Sequence, residues 1–140
     1  MKMDGEYTLP TNVENVWNSL NDPLVLKNSI PGCTQLIKEN DNEFKATVTI
    51  KIGPVSAKFN GEVKLSNIKV YEGYTISGSG KGGAAGFAKG SANINLEKQE
   101  NSTILKYSVE AQIGGKLAQL GSRLIDSTSK KLAGKFFDNF

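Results

Sequence analysis

Residues 114–140 constrain the fold of this chain most. They read as one long amphipathic helix, and no other stretch has comparable length and periodicity. Counted at 100° per residue from Lys116, Leu120, Leu124, Leu117, Thr128, Gly121, Leu132 and Ile125 fall between roughly 40° and 180°. Ser122, Ser129, Asp126, Gln119, Lys130 and Arg123 occupy the other side. Gly114 and Gly115 break whatever precedes the helix, and Lys130, Lys131 and Lys135 sit near its C-terminus, where cations suit the helix dipole. An apolar face this wide has to be covered, and the preceding chain carries the pattern of a sheet.

Met3, Gly5, Tyr7 and Leu9 alternate with polar residues and predict a first strand, which Pro10 ends. Thr11-Asn12-Val13-Glu14 reads as a capping box, followed by Val13, Val16, Trp17 and Leu20 at helical spacing. Asp22-Pro23 opens a second short helix containing Leu24, Val25 and Leu26, which Pro31-Gly32 stops. From there to Ala111 the period is two. Phe44, Ala46, Val48, Ile50 and Ile52 form one apolar series, and after Gly53-Pro54 a second runs from Val55 to Leu65. Its parity switches at Asn67, which predicts a bulge. Further strands begin near Tyr74, Ala88 and Leu105. Strand, two short helices, six consecutive strands and a long helix make an α+β helix-grip arrangement, an antiparallel meander covered by the helix.

At 140 residues the chain is expected to be one domain, spanning 1–140. It contains no histidine and only one cysteine, Cys33. That excludes Ser-His-Asp and Cys-His nucleophilic catalysis, the usual zinc sites and an internal disulfide. The net charge of +3 is small and dispersed and does not point to nucleic acid. No signal peptide or membrane-spanning run is apparent, so a cytoplasmic location is expected, with a peripheral contact at the inner face of the membrane left open. The sequon at Asn101, Ser102 and Thr103 is then a chance match.

Four segments carry a family resemblance. They are Asp22-Pro23-Leu24-Val25-Leu26 running into Ile30-Pro31-Gly32-Cys33; Lys51-Ile52-Gly53-Pro54-Val55 with Phe59 and Gly61; the glycine-rich run from Gly80 to Gly90; and Gly114-Gly115-Lys116-Leu117-Ala118-Gln119-Leu120-Gly121. In this order they resemble the carbon monoxide dehydrogenase CoxG family, within the START-like, Bet v 1-like and polyketide-cyclase-like superfamily. The resemblance implies a curved seven-stranded sheet gripping the C-terminal helix around a hydrophobic cavity. It also implies an accessory role for a molybdenum-containing dehydrogenase, in maturation, membrane recruitment or lipid and quinone handling. It carries over no catalytic residue and no cofactor.

Gly78-Ser79-Gly80-Lys81-Gly82-Gly83 fits G-x-G-x-x-G, but a strand rather than a helix is expected after it, so the run reads as a bend and not a dinucleotide site. More informative are the small residues whose parity places them inward: Gly5, Ala46, Ala57, Gly61, Gly78, Gly80, Gly90, Ala92 and Ala111. They either let the helix approach closely, as Gly121 and Ala118 on the helix would favour, or leave room for an apolar ligand. A cavity is the favoured reading. Its lining would include Tyr7 of the first strand and Trp17 and Leu24 of the short helices, although Trp17 also suits a core position. Val48, Ile50, Phe59, Tyr74 and Ile76 would follow from the sheet, then Ala92, Ile94, Tyr107 and Val109. The helix would supply Leu117, Leu120, Gly121, Leu124 and Thr128.

The hydroxyls of Tyr7, Tyr74, Tyr107 and Thr128 are the polar candidates to face a ligand. Asp126 and Glu110 do not form an acid/base pair, since both lie on polar faces. At the helix tip Phe136 and Phe140 fall near 200° and 240°, at and beyond the stripe's edge, and Phe137 near 300°, on the charged side. With Lys130, Lys131 and Lys135 the three rings suit a transient contact with a membrane surface or a partner. The leading expectation is non-catalytic carriage of a lipid, fatty acyl or quinone-like molecule, with dehydrogenase subunits as partners and no nucleic acid. An interaction module with an incidental cavity is the alternative. Lack of histidine and of paired inward carboxylates argues against a cyclase or hydrolase.

Overall fold

Apolar–polar alternation becomes strand pairing in the computed structural model, which describes residues 1–140. The elements are β1 (Lys2–Leu9), α1 (Val13–Leu20), α2 (Pro23–Ser29), β2 (Cys33–Asn40), β3 (Glu43–Ile52), β4 (Val55–Lys69), β5 (Gly73–Lys81), β6 (Phe87–Lys98), β7 (Thr103–Gly114) and α3 (Ser122–Asn139). The seven strands form one antiparallel sheet in the order β1-β7-β6-β5-β4-β3-β2. This is the expected α+β helix-grip arrangement. The bulge falls where parity predicts it: the β4–β5 register shifts between Ser66 and Lys69, and Asn67 adopts φ 51°. The glycine-rich run forms a 3-10 turn, Gly83–Ala85, and β6 follows without an intervening α-helix.

Local polar chemistry fixes the short helices. Asn12, not Thr11, caps α1: its Oδ1 accepts the Asn15 backbone N–H at 2.8 Å, while the Thr11 hydroxyl accepts from the Asn15 side chain at 2.9 Å. Asp22 caps α2 as expected, accepting the Leu24 N–H at 2.9 Å ahead of the first helical residue, Pro23. Fully buried Thr103 donates to the Thr11 carbonyl at 2.9 Å and ties the start of α1 to the sheet.

Residues 114–140 are not one helix. β7 continues through Gly114, a 3-10 segment spans Gly115–Leu120, and Gly121 breaks the chain before α3. Gly121 has φ 88° and ψ 152°, a region only glycine occupies without strain, and a Cβ built there would meet nothing within 4 Å. Its role is conformational: exposed and outside the groove lining, it serves neither the close approach nor the cavity lining considered for it. The break also resets the helical phase. Because Gly121 interrupts the helix, α3 starts with its own phase: its buried and half-buried residues, from Leu124 and Ile125 to Phe136 and Phe137, centre near about 200° on the same angular scale, rather than near 110°. Ser129, expected on the polar side, consequently lies on the inner face, with its hydroxyl 3.3 Å from the Met1 sulfur.

The interior condenses into two separate clusters. The larger holds ten buried residues, including Val16, Leu20, Phe44, Leu65, Leu96 and Leu105, and joins α1 to the sheet. The smaller is Phe59, Ala85 and Leu117, under the two 3-10 segments at the other end. In α3 only Ile125 is buried. If Gly121 serves backbone geometry alone, Gly121→Ala and Gly121→Leu should each lower stability by about 1–3 kcal/mol in urea titration, by similar amounts. A leucine cost far above the alanine cost would show overpacking instead.

Candidate ligand-binding groove

Register places the small residues side by side. Ala46 faces Gly61, Gly61 faces Gly80, and Gly80 faces Ala88 across β3, β4, β5 and β6. In the adjacent row Gly78, Gly90 and Ala111 are aligned. Directly opposed residues share a face, so these rows form a low strip across the inner surface. Nothing stacks on its centre: a Cβ at Gly61 or Gly80 would meet only sheet carbonyl oxygens, the nearest at 3.5 Å and 4.0 Å. The small inward residues therefore leave room between the two clusters.

A groove on the same face of the sheet, where Val48 and Ile50 continue the Ala46 side of β3, has a volume of about 340 Å³ and is lined by Met1, Met3, Ile30, Pro31, Val48, Ile50, Ser129, Leu132, Ala133 and Phe136. That is within the range of small-molecule sites, at its lower end. Met3 is on β1 and Val48 on β3, strands five places apart in the sheet. In a flat sheet they would be about 24 Å apart. Sharing one groove requires the sheet to curl around α3. Ile30 and Pro31 reach it because Gly32, at φ 78°, lays the turn on β3: the Thr49 N–H donates to the Gly32 carbonyl at 2.9 Å, and a Cβ on Gly32 would fall on the Thr49 carbonyl oxygen.

Ser129 supplies the only side-chain hydroxyl in the lining, and no charged side chain lines it. Such a surface can hold an apolar molecule but offers no side-chain acid or base suited to chemistry at neutral pH. A hollow of about 450 Å³ on the outer face is instead lined by polar groups including Lys45, Glu62 and Lys81, and does not suit an apolar ligand.

Of the residues expected to line a cavity, Val48 and Ile50 do so, and Ala92 and Val109 share a cross-strand row with Met3. Leu124 and Thr128 are half-buried on α3 but belong neither to the groove lining nor to either cluster. Tyr74 and Ile94 are core residues of the larger cluster instead, with Ile76 packed against it. Trp17 packs there too, edge-on to Tyr74 at 5.5 Å. Phe59 and Leu117 form the smaller cluster, with Leu120 against it. Leu24 is 65% exposed, because Val25, Leu26 and Ser29 set the inward face of the short α2 and Leu24 lies opposite them. Leu132, Ser129 and the Ile30–Pro31 turn line the groove without being expected there. Leu132 is visible in the apolar stripe; the others depend on the reset phase and on the turn geometry.

The helix tip also differs from expectation. Phe137 is not on the charged side: it stacks on Tyr7 at 4.1 Å and lies 5.9 Å from Tyr107. Phe140 packs against the larger cluster, and Phe136 lines the groove. Lys130, Lys131 and Lys135 are exposed, but the rings expected to accompany them point inward. Gly134 leaves space for the Tyr7 hydroxyl, which would lie 3.7 Å from a Cβ there. Tyr107 crosses Gly5, and burial, with Tyr7 and Asp4 nearby, raises its pKa.

The family profile described as CoxG, a carbon monoxide dehydrogenase subunit, matches residues 5–140. No protein of curated function matches the sequence. Among solved structures, a conserved protein from Geobacillus kaustophilus is 31% identical, with a TM-score of 0.93 over 99% of this chain and 91% of that one. The Zhui aromatase/cyclase from Streptomyces sp. R1128 has a TM-score of 0.66 at 8% identity, covering 99% of this chain and 90% of its own. Ara h 8.0201 has a TM-score of 0.60 at 15% identity, covering 97% and 92%. The last two similarities concern the fold.

Two substitutions test the open strip. Gly61→Ala meets no side chain and removes a strand glycine, so it should stabilise by about 0.5–1 kcal/mol in urea titration. Gly90→Ala would drive its Cβ onto the Glu110 carbonyl oxygen and Ala111, and should destabilise. Equal losses at both sites would mean the strip is covered. Tyr74 gives an independent check on the core. Burial raises its pKa above the ordinary 10.0, so the unfolded chain ionises first. The contribution is intact below about pH 10 and declines as pH rises through the folded-state pKa. Tyr74→Phe should reduce the alkaline loss of stability in pH-dependent urea titrations.

Proposed function

The chain belongs to the CoxG family of carbon monoxide dehydrogenase, and from that premise we propose that it carries a lipid, fatty acyl or quinone-like molecule between its sheet and α3. The carrier serves a molybdenum-containing carbon monoxide dehydrogenase-type enzyme as an accessory protein, in maturation, membrane recruitment or quinone handling. The observation that supports carriage is the division of the interior into two clusters, with a strip of glycine and alanine left open between them. The groove lining contains no carboxylate, lysine or tyrosine, which supports binding rather than catalysis. No helix is long and apolar enough to cross a membrane.

Native mass spectrometry and organic extraction of the purified protein test this reading. A reproducible apolar adduct, or uptake of a fatty acid or a quinone by stripped protein, is expected. Gly80→Phe places a ring in the open strip and should weaken uptake by about tenfold or more while the fold is retained. Protein that is consistently free of ligand and takes up neither probe would overturn carriage. Uptake unchanged in a folded Gly80→Phe variant would move the binding site elsewhere.

A further inference from the structure

The charges of this molecule are sorted by end. No carboxylate occurs between Glu43 and Glu62, between Glu72 and Glu97, or between Glu110 and Asp126. These three segments build one end of the sheet: the β3–β4 hairpin at Gly53 and Pro54, the β5–β6 turn, and the 3-10 segment leading to α3. Lys51, Lys58, Lys81, Lys89, Lys116 and Arg123 are exposed there, and none has an ion-pair partner. Four of the six carboxylates bordering the zone are held in ion pairs; Glu72 and Asp126 are not, and Asp126 is exposed on α3 three residues after Arg123. Glu43 pairs with Lys64, Glu62 with Lys45, Glu97 with Lys106 and Glu110 with Lys2. Asp41, Glu72 and Glu100 lie in the turns at the opposite end.

The cationic end also presents apolar groups. Phe87 is 49% exposed and sits directly across from Lys81 in the β5–β6 ladder. Pro54 and Ala84 are exposed at the tips. Between them lies a hollow of about 380 Å³ whose lining includes Pro54, Val55, Ala57, Ala84, Ala85 and Lys116, with no carboxylate. Gly53 brings the start of α3 to the same end, since a Cβ there would lie 3.0 Å from Leu124.

We propose that this end, and not the C-terminal tip of α3, docks on an anionic lipid surface, with Lys51, Lys58, Lys81, Lys89, Lys116 and Arg123 over the headgroups and Phe87 at the interface. Charge complementarity calls for an anionic partner, and side-chain chemistry selects lipid over an acidic protein. Protein interfaces are depleted in lysine, and their hot spots are enriched in Trp, Tyr and Arg. Five of the six cations here are lysines, and no Trp or Tyr occurs in residues 44–61, 81–90 or 111–125. Lysines around an exposed ring on convex turns suit a bilayer, where each cation acts on the surface potential without needing a matched pocket. Docking in this way does not depend on what the groove carries.

Flotation of the full chain with phosphatidylcholine vesicles, with and without phosphatidylglycerol, tests the surface directly. Binding is expected only to the vesicles containing phosphatidylglycerol, and high salt should abolish it. Each lysine near such a surface is worth about a fivefold change in partition, so Lys58→Gln, Lys81→Gln and Lys89→Gln combined should weaken it about a hundredfold. Phe87→Ser should weaken it as well. All four side chains are exposed, and thermal unfolding verifies that the variants fold. Lys69→Gln with Lys98→Gln, at the opposite end, should have little effect. Absence of binding at low salt would overturn the proposal and leave the patch to an acidic protein. Equal loss in the opposite-end variant would also overturn it, because net charge rather than this surface would then drive binding.

Discussion

Attachment of α3 chiefly at its two ends is what the remaining architecture depends on. At the start, Leu124 meets the β3–β4 hairpin at Gly53, beside the smaller apolar cluster. At the finish, Phe137 stacks on Tyr7 and packs against the larger cluster, while the Asn139 side chain donates to the Ser29 carbonyl at 3.3 Å. Aromatic pairs of this kind contribute about 0.5–1.5 kcal/mol beyond their buried area. A helix pinned at both ends can remain above the middle of a curled sheet. Larger residues in the strip would lift it or fill the space, and the strip is glycine and alanine.

The two attachments put opposite demands on the backbone. The 3-10 segment must drop Leu117 onto Phe59 and Ala85, yet α3 must leave at an angle that reaches Tyr7. Gly121 reconciles them by taking a conformation closed to other residues. Gly134 makes the second attachment close by leaving room for the Tyr7 hydroxyl. Gly134 lies inside α3, where helix propensity disfavours glycine, so this contact rather than propensity accounts for it.

Strand parity is readable in the sequence because its period is two and one face is polar, and even the irregularity at Asn67 shows as a parity change. The inward small residues follow from the same parity. Phase and curvature are not readable in this way. An apolar periodicity that runs across Gly121 looks continuous in one dimension, so a count along the chain puts Phe137 and Ser129 on the wrong side. Groove lining by Ile30 and Pro31 depends on how far the sheet curls, a property of all seven strands together and not of any local motif. Leu24, Tyr74 and Ile94 are apolar in a suitable pattern, but pattern alone does not separate a cavity wall from a filled core or an outward helix face.

Electron density in a crystal of the protein as purified, in the space bounded by α3 and the Ala46, Gly61, Gly80 and Ala88 row, tests the central claim most directly. Continuous density for an elongated apolar molecule is predicted there, with Leu132 and Val48 in contact with it. A helix α3 resting directly on that row, with side chains filling the space and no density between, would contradict the account.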